Sequence, residues 1–227
     1  MIKSLFNLIF PQACLGCSQF LSENEKVICT HCRHEIPITN HHLLPQNETL
    51  MKFYGRLSLE HASALMYFHK KGIVQQLIHN LKYHGHQEVG DLFGNWYGTE
   101  LQNCKSLKKI DAIIPIPLHK KKLNSRGYNQ VTRFGKALST QLNCPLDESI
   151  LTRSQHSKTQ TFKNLMGRNE IKSHTFEVHY NESHHNKHFL LVDDVITTGA
   201  TLEAAGKELL EIPGAKISIV CMAMSHS

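Results

Sequence analysis

The run Phe189-Leu-Leu-Val-Asp-Asp-Val-Ile-Thr-Thr-Gly-Ala-Thr201 decides the fold of this chain. Its apolar beginning predicts a buried strand that ends in the acids Asp193 and Asp194, and a helical pattern starts at about Leu202. Loop amides and a helix N-terminus offer N–H donors and a positive dipole to a phosphate, and glycine lets the backbone approach it closely. The residues expected to hold that phosphate are Thr197, Thr198, Gly199, Ala200 and Thr201.

The acid pair adds a second function to this segment, because adjacent carboxylates can accept hydrogen bonds from vicinal sugar hydroxyls. A buried strand with an acidic turn before a capped helix would not account for both the acids and the Thr/Gly loop. The run resembles the phosphoribosyl pyrophosphate (PRPP) motif of type I phosphoribosyltransferases. The resemblance implies that Asp193 and Asp194 hold the ribose hydroxyls while the loop binds the 5′-phosphate.

The composition fits one α/β domain with a small appendage, since the chain has 227 residues, 41% hydrophobic content and a net charge of +6. This charge permits nucleic acid or phosphorylated ligands without requiring either. No apolar run of about 18 residues is present, so no membrane span is predicted. Met1–Phe10 is interpreted as a packed helix, not a signal peptide. The 17 histidines are typical of solvated loops, with a second metal site as the alternative.

Four of the seven cysteines form two CxxC pairs. The pairs consist of Cys14, Cys17, Cys29 and Cys32. Four thiolates on two knuckles suit tetrahedral zinc, and a site closed by four protein ligands is structural. The gap between the pairs is shorter than in most ribbons, and iron–sulfur or free thiols are the alternatives. An odd cysteine count with CxxC pairs also indicates a reducing compartment, so a cytoplasmic location is expected.

Strand and helix patterns alternate through the rest of the chain. Helices are expected over Ile73–Leu81, 88–101 and 129–142, after a helical pattern that starts at Tyr67. Strands are expected at 110–116, 149–153, 174–178, 188–192 and 216–224. This order predicts a type I phosphoribosyltransferase-like α/β fold, a mainly parallel sheet with helices on both faces. The expected division is a zinc module at 1–40, a linker at 41–60 and a phosphoribosyltransferase-like domain at 61–227.

Two further segments are expected at the ligand site. The first is the proline-containing strand end followed by Lys120–Lys122, whose exposed amides and lysines suit a pyrophosphate with Mg²⁺. Its residues are Pro115, Ile116, Pro117 and Leu118. The second is a polar cationic loop over 154–170, interpreted as a flap that stabilises the leaving pyrophosphate through Lys158, Lys163 and Arg168. A strand terminator with a basic turn and an ordinary solvated loop are the plainer interpretations of these segments.

Taken together, the motifs are similar to those of the bacterial ComF/GntX family, in the family's order and over nearly the whole chain. The motifs are the CxxC pairs, Leu81-Lys82-Tyr83-x-Gly85, Ile114–Leu118, Arg126–Gln130, Arg153 with Thr159–Thr161 and Arg168-Asn169, and Asp193–Thr201. The resemblance implies a phosphoribosyltransferase fold, a structural zinc module and a link to natural transformation, in which family members handle incoming single-stranded DNA with the DNA-uptake machinery.

Two functions follow as hypotheses. The first is a transferase that uses PRPP and Mg²⁺, with Asp193, Asp194, Lys158 and Arg168 as catalytic residues and an unknown acceptor. The second is a non-catalytic protein that handles single-stranded DNA, with PRPP as an effector, and with Tyr83, Tyr128 and Phe162 stacking on bases. A PRPP-sensing regulator is a weaker third hypothesis, because no helix-turn-helix pattern is present.

Overall fold

The segments expected to be strands near 110–116, 188–192 and 216–224 are parallel neighbours in one sheet. The computed structural model describes residues 12–154 and 175–225. The strands of the central sheet are β1 (His61–Phe68), β2 (Ala112–Pro115), β5 (His188–Ile196) and β6 (Lys216–Ser225), and a separate antiparallel pair consists of β3 (Leu151–Arg153) and β4 (Phe176–Val178). The central order is β1-β6-β5-β2, and every neighbouring pair is parallel.

Helices cover both faces of this sheet, which confirms the predicted fold class. The helices are α1 (Thr30–Glu35), α2 (Glu48–Met51), α3 (Ile73–Tyr83), α4 (Glu88–Leu101), α5 (Lys120–Arg126), α6 (Thr132–Leu142) and α7 (Ala200–Leu209). Helices α3, α4 and α6 pack with Leu190 and Val192 on one face, and α7 packs with Phe189 and Leu191 on the other. The alternation of these β5 side chains follows from the period of two in a strand.

Strand β1 forms an edge of the sheet and was not predicted, and the helical pattern expected from Tyr67 is wrong at Tyr67 and Phe68, which belong to this strand. The strand reads His-Ala-Ser-Ala-Leu-Met-Tyr-Phe and is buried along most of its length. Alanine, leucine and methionine favour helices in isolation, so local propensity does not predict a strand here. Pairing along β6 over seven registered residue pairs overrides that preference.

Two other elements differ from expectation. Strand β5 continues to Ile196, so Asp193 and Asp194 lie within the strand and do not end it. Lys120–Arg126 forms a short helix instead of a basic turn, with the His119 side chain accepting a hydrogen bond from the Lys121 N–H at 3.2 Å and Gly127 closing it at φ +76°. Met1–Phe10 and the cationic residues Lys158, Lys163 and Arg168 lie outside the described residues.

The cysteine-containing segment shares a core with the sheet. Cys14, Cys32 and Ile36 belong to the same buried cluster as Leu65 of β1 and Leu77 of α3. Backbone hydrogen bonds join the segment to β1, since the Thr39 N–H donates to the Leu65 carbonyl at 3.0 Å and the Tyr67 N–H to the Pro37 carbonyl at 2.8 Å. The N-terminal segment is therefore continuous with the core of the sheet.

The three-part division of the chain stays a prediction, but residues 41–60 have a definite structure. They include α2, and Phe53 is only 1% exposed.

In the part of the chain that the structure describes, no helix is long and apolar enough to cross a bilayer.

Candidate functional site

The carboxyl ends of the four central strands meet at one edge, as they must when all are parallel. Pro115 at the end of β2 is registered with Val192, one residue before the acid pair. Ile196 at the end of β5 is registered with Met224 of β6. Ligands of open parallel sheets bind at this edge, so the acids, the Thr/Gly loop and the proline segment are brought to the expected place.

Asp194 lies on the face covered by α3, α4 and α6 and is 5% exposed. The Lys82 ammonium lies 2.9 Å from one carboxylate oxygen, and the Gln130 amide donates to the other at 2.7 Å. This pairing offsets the cost of burying the charge. Each oxygen keeps a further lone pair, so Asp194 can still accept from a sugar hydroxyl.

A second layer of contacts holds the two partners of Asp194. Arg126 donates to the Gln130 side-chain oxygen at 2.7 Å, and its guanidinium lies 5.1 Å from the centre of the Tyr83 ring. Tyr128 donates to the Leu81 carbonyl. The two segments 81–85 and 126–130 therefore meet at one carboxylate. This role of Lys82 and Gln130 was not predicted from the sequence, because no spacing rule connects residues so far apart in the chain.

Asp193 points to the opposite face of β5, and its carboxylate accepts from the Asp194 N–H at 2.8 Å. Burial, and next the Asp194 charge, raise the pKa of Asp193 to about 8, although Lys82 and Arg153 partly oppose the shift. The two acids are thus held differently, with Asp194 paired to a cation and Asp193 tending to keep its proton. A carboxyl group whose pKa is raised by burial and by a second carboxylate is common at functional sites.

The Thr/Gly loop has the geometry of a phosphate cradle. Gly199 adopts φ +78° and precedes the first residue of α7, whose first N–H groups have no helical acceptor. Arg56 holds the loop from outside by donating to the Thr198 carbonyl at 3.0 Å and pairing with Glu203 in the first turn of α7. Thr197, Thr198, Ala200 and Thr201 are exposed, so the loop faces solvent at the site.

Gly199→Ala is expected to destabilise the protein by about 2–4 kcal/mol. A Cβ at Gly199 would meet the Phe53 ring at 2.9 Å, in addition to the unfavourable positive φ. The matched control is Gly85→Ala, because Gly85 has φ +77° with nothing within 4 Å and tests backbone strain alone. Urea unfolding of both variants measures the difference, and equal losses would show that the Phe53 contact does not support the loop.

The proline segment offers fewer donors than the sequence suggested. Pro115 and Pro117 have no N–H, and the Ile116 N–H donates to the Val192 carbonyl at 2.9 Å. The Ile116 carbonyl is also used, since it accepts from the Asn129 side chain at 3.0 Å. The expectation of several exposed amides is therefore wrong. The Leu118 amide and the exposed lysines of α5 are the groups left for an anion here.

The sulfur atoms of Cys14, Cys17, Cys29 and Cys32 all lie within 4.8 Å of one another. A tetrahedral zinc with four thiolates places its sulfurs about 3.8 Å apart, and Cys17 and Cys29 are separated by 3.7 Å. Burial raises the pKa of Cys14, but N–H groups of Cys29, Cys17 and Gly16 lower it to about 7. The donor set fits a structural zinc ion, and it is the one metal-ligand cluster among the residues that the structure describes.

Two protein families match parts of this chain. Residues 132–227 match the phosphoribosyl transferase domain family, and residues 5–43 match the double zinc ribbon domain family. The first match covers β5, the acid pair, the Thr/Gly loop and β6. The second covers all four clustered cysteines, which supports a structural zinc ion at that cluster.

Curated relatives carry similar sequences over most of the chain. The DNA utilization protein YhgH of Escherichia coli K12 is 27% identical over 92% of this chain and 88% of its own length. Competence protein ComFC of Bacillus subtilis is 24% identical over 85% of this chain and 81% of its length. Competence protein F of Haemophilus influenzae is 34% identical over 53% of each chain.

Proposed function

Because this chain belongs to the ComF/YhgH family, with a phosphoribosyltransferase domain and an N-terminal zinc ribbon, we propose that it binds PRPP with Mg²⁺ and takes part in the use of DNA taken up by the cell. The observation that carries the first part is the arrangement at the end of β5. An acid pair, a left-handed glycine and a helix N-terminus follow one another at the sheet edge where ligands bind. The role in DNA use is taken from the names of the relatives.

In this proposal the loop 197–201 binds the 5′-phosphate, and the acid pair holds the ribose. Asp194 accepts a hydrogen bond from one ribose hydroxyl while keeping its ion pair with Lys82. Asp193 binds a ribose hydroxyl best after it has lost its proton. The Leu118 amide and the lysines of α5 attract the pyrophosphate. Bound Mg²⁺ would neutralise part of the pyrophosphate charge while keeping several waters.

Transfer of the phosphoribosyl group is proposed as the reaction. The bond between C1 of the ribose and the pyrophosphate oxygen breaks, and its electron pair leaves with pyrophosphate. A nucleophile of the acceptor forms the new bond to C1 and releases its proton to solvent. The positive charge that develops at the ribose is favoured by the Asp194 carboxylate nearby.

Handling of single-stranded DNA is the second candidate, and one exposed cluster favours it. The Tyr83 ring is 63% exposed with Arg126 against one side, and its ring centre lies 4.9 Å from that of His79. The exposed residues Lys120–Lys122 follow the same sheet edge. Stacking rings beside cations are typical of surfaces that track a single strand. Tyr128, in contrast, is partly buried and hydrogen-bonded to Leu81, so it does not join this cluster.

Calorimetric titration of the full-length zinc-loaded protein separates the candidates. Mg²⁺-PRPP is expected to bind, and ribose 5-phosphate and magnesium pyrophosphate should each compete, because each occupies one part of the site. An oligothymidylate is titrated in parallel at two salt concentrations, since binding through phosphates weakens steeply with salt. If Mg²⁺-PRPP does not bind, the proposal fails, and salt-dependent oligonucleotide binding would then favour the second candidate.

A further inference from the structure

A single peptide group joins the cysteine cluster to helix α3. It is the group between Leu15 and Gly16, inside the first CxxC pair. Its N–H, on Gly16, donates to the Cys14 sulfur at 3.4 Å. Its carbonyl, on Leu15, accepts from the Asn80 side chain of α3 at 2.8 Å. Because a peptide group is planar, a rotation that moves the N–H also moves the carbonyl, so a change at the Cys14 sulfur reaches Asn80.

A metal ion at the cluster would fix the direction of this peptide group. The Cys14 sulfur accepts from the Gly16 N–H and also from the Cys29 N–H at 3.2 Å. A thiolate bound to zinc stays deprotonated, and hydrogen bonds to a charged acceptor are stronger than those to a neutral one. A peptide group whose N–H is bonded in this way is polarised, which strengthens its carbonyl as an acceptor. Zinc at the cluster therefore tightens the contact with Asn80.

The first CxxC pair packs along one face of α3. Ile73 and Asn80 are seven residues apart, so they lie on the same face of the helix, about 10.5 Å apart along its axis. A Cβ at Gly16 would meet the Ile73 side chain and the Cys32 sulfur, each at 3.0 Å. The backbone at Gly16 thus lies directly between the cluster and the helix. The segment contacts α3 at its first residue and again in its last turn.

The other side of the same helical turn reaches the acid pair. Lys82 follows Asn80 by two residues, which is about 200° around a helix, so the two side chains leave α3 in opposite directions. The Lys82 ammonium lies 2.9 Å from the Asp194 carboxylate. Between them, the Leu81 carbonyl accepts from the Tyr128 hydroxyl. The last turn of α3 is therefore held by the cysteine segment on one side and by the ligand site on the other.

The ion pair of Lys82 with Asp194 is sensitive to the position of this turn. Asp194 is 5% exposed, so its charge depends on Lys82 and on the Gln130 amide for compensation. A buried charge that loses part of its pairing is destabilised strongly, because little water is present to replace the lost partner. A small shift of the last turn of α3 would therefore change how well Asp194 holds its charge and accepts from a ligand.

We infer that the metal ion of the four-cysteine cluster controls the geometry of the Asp194 site through α3, and that Asn80 is the positioning residue of this coupling. The effect on Asp194 follows from the contacts above, whereas the effect on Mg²⁺-PRPP affinity rests on the proposed function. Coupling between two sites is reciprocal, so Mg²⁺-PRPP bound at Asp194 favours the metal-loaded cluster by the same factor. The zinc ion then regulates the ligand site in addition to supporting the fold.

Two substitutions at Asn80 test the coupling without changing a cysteine. Asn80→Asp keeps the shape of the side chain and removes its N–H donor. Asn80→Ala also removes the donor and favours the helix, so it serves as a second variant should the acid disturb folding. Gln76→Glu is the matched control, because it makes the same amide-to-acid change on an exposed side chain one turn earlier in α3.

NMR of the isotope-labelled full-length protein reports on Asp194 through the Gln130 side-chain amide, which donates to its carboxylate at 2.7 Å. The zinc-loaded and cadmium-loaded forms are compared, because cadmium is a larger ion for the same thiolates and moves the sulfurs while the site stays occupied. The exchange of metal should shift the Gln130 signal in the natural protein and in Gln76→Glu. The shift should fall to less than a third of that size in both Asn80 variants.

Calorimetry of the zinc-loaded proteins measures the consequence for the ligand. Mg²⁺-PRPP should bind about tenfold more weakly to both Asn80 variants and with unchanged affinity to Gln76→Glu, a factor within the usual range of coupling between sites. Elemental analysis should find one metal ion per chain in every form, which separates an effect of the contact from loss of the ion.

The outcomes separate this inference from the proposed function. If Mg²⁺-PRPP binds but the Gln130 signal ignores the metal, or responds equally in the Asn80 variants, the inference is overturned and the proposed function stands. Equal Mg²⁺-PRPP affinity of the natural protein and both Asn80 variants overturns the regulatory effect in the same way. If Mg²⁺-PRPP does not bind but the Gln130 signal follows the metal through Asn80, the proposed function is overturned and the coupling to Asp194 is established.

Discussion

Asp193→Asn is expected to make the protein more stable at pH 8 while weakening Mg²⁺-PRPP binding about 100-fold. The stability gain follows from the raised pKa of about 8 for Asp193, caused first by burial and then by the Asp194 charge. An unfolded chain ionises the same group at about 3.9. Between these values the folded state binds more protons, so its stability falls as the pH rises through this window.

Asparagine removes that dependence, because it has no proton to lose. The gain at pH 8 is expected to be about 1–2 kcal/mol, discounted because the Asp193 side chain is partly accessible, and it should vanish near pH 4. Binding changes in the opposite direction, since the ionised carboxylate that accepts from a ribose hydroxyl is gone. In the natural protein, Mg²⁺-PRPP affinity should rise from pH 7 to pH 8.5 as Asp193 loses its proton.

Asp111→Asn is the matched control, because Asp111 lies at the opposite end of β5. Burial raises the pKa of Asp111, but the His188 N–H at 2.8 Å and the Lys187 ammonium at 2.9 Å lower it on balance. The ionised Asp111 carboxylate stabilises the folded protein above the unfolded pKa, and this stabilisation is lost as the pH falls. The Asp111→Asn control should therefore lose stability at pH 7 and keep PRPP binding. Thermal unfolding at pH 4, 6 and 8 with calorimetry at pH 8 measures both effects. A less stable Asp193→Asn protein at pH 8 would contradict the expected effect of burial on this carboxyl.

Cys14→Ser is expected to lose the zinc ion and to destabilise the whole chain, not the N-terminal segment alone. Structural zinc contributes on the order of 10 kcal/mol to the folding of small zinc modules, and a serine oxygen is a poor replacement for a thiolate. Cys14, Cys32 and Ile36 share one buried cluster with β1 and α3, so loss of order here exposes Leu65 and Leu77. Contacts across the boundary, such as the Arg33 guanidinium 4.8 Å from the centre of the Trp96 ring, are lost as well.

Cys144→Ser provides the comparison, because Cys144 is a buried thiol outside the metal cluster. It should lose some stability but keep one zinc ion per chain, as measured by elemental analysis. Circular dichroism during heating should show a single transition for the natural protein and a large downward shift for Cys14→Ser. A natural protein without zinc, or a Cys14→Ser protein whose sheet melts unchanged, would refute the expectation.

The elements with strong local patterns could be predicted from the sequence. The 88–101 helix and the strand after Lys216 are predictable because their periodicities are long and their ends are marked. The zinc cluster is predictable because its ligands are neighbours in the chain. Strand β1 is not, since its residues favour a helix until β6 pairs with them.

The candidate site was only partly predictable for a related reason. The phosphate loop is local, so the motif itself identifies its residues. The partners of Asp194 and the ring behind Gly199 come from distant segments that only the folded chain brings together. Which backbone amides of the proline segment can reach a ligand also depends on strand pairing, because the Ile116 N–H donates to the Val192 carbonyl of β5.

The Phe53 ring lies against Gly199, and Arg56 donates a hydrogen bond to the Thr198 carbonyl. Truncated or recombined forms of this protein must therefore keep these two residues if the Thr/Gly loop is to keep its support. The segment that matches the phosphoribosyl transferase domain family begins at residue 132, yet its Thr/Gly loop is supported by residues 53–56. A fragment or chimera that begins at residue 61 would keep the Asp193–Thr201 motif but lose Phe53 and Arg56, which support its loop. Exchange of the Thr/Gly loop between relatives would accordingly require transplanting residues 53–56 together with the carboxyl-terminal half.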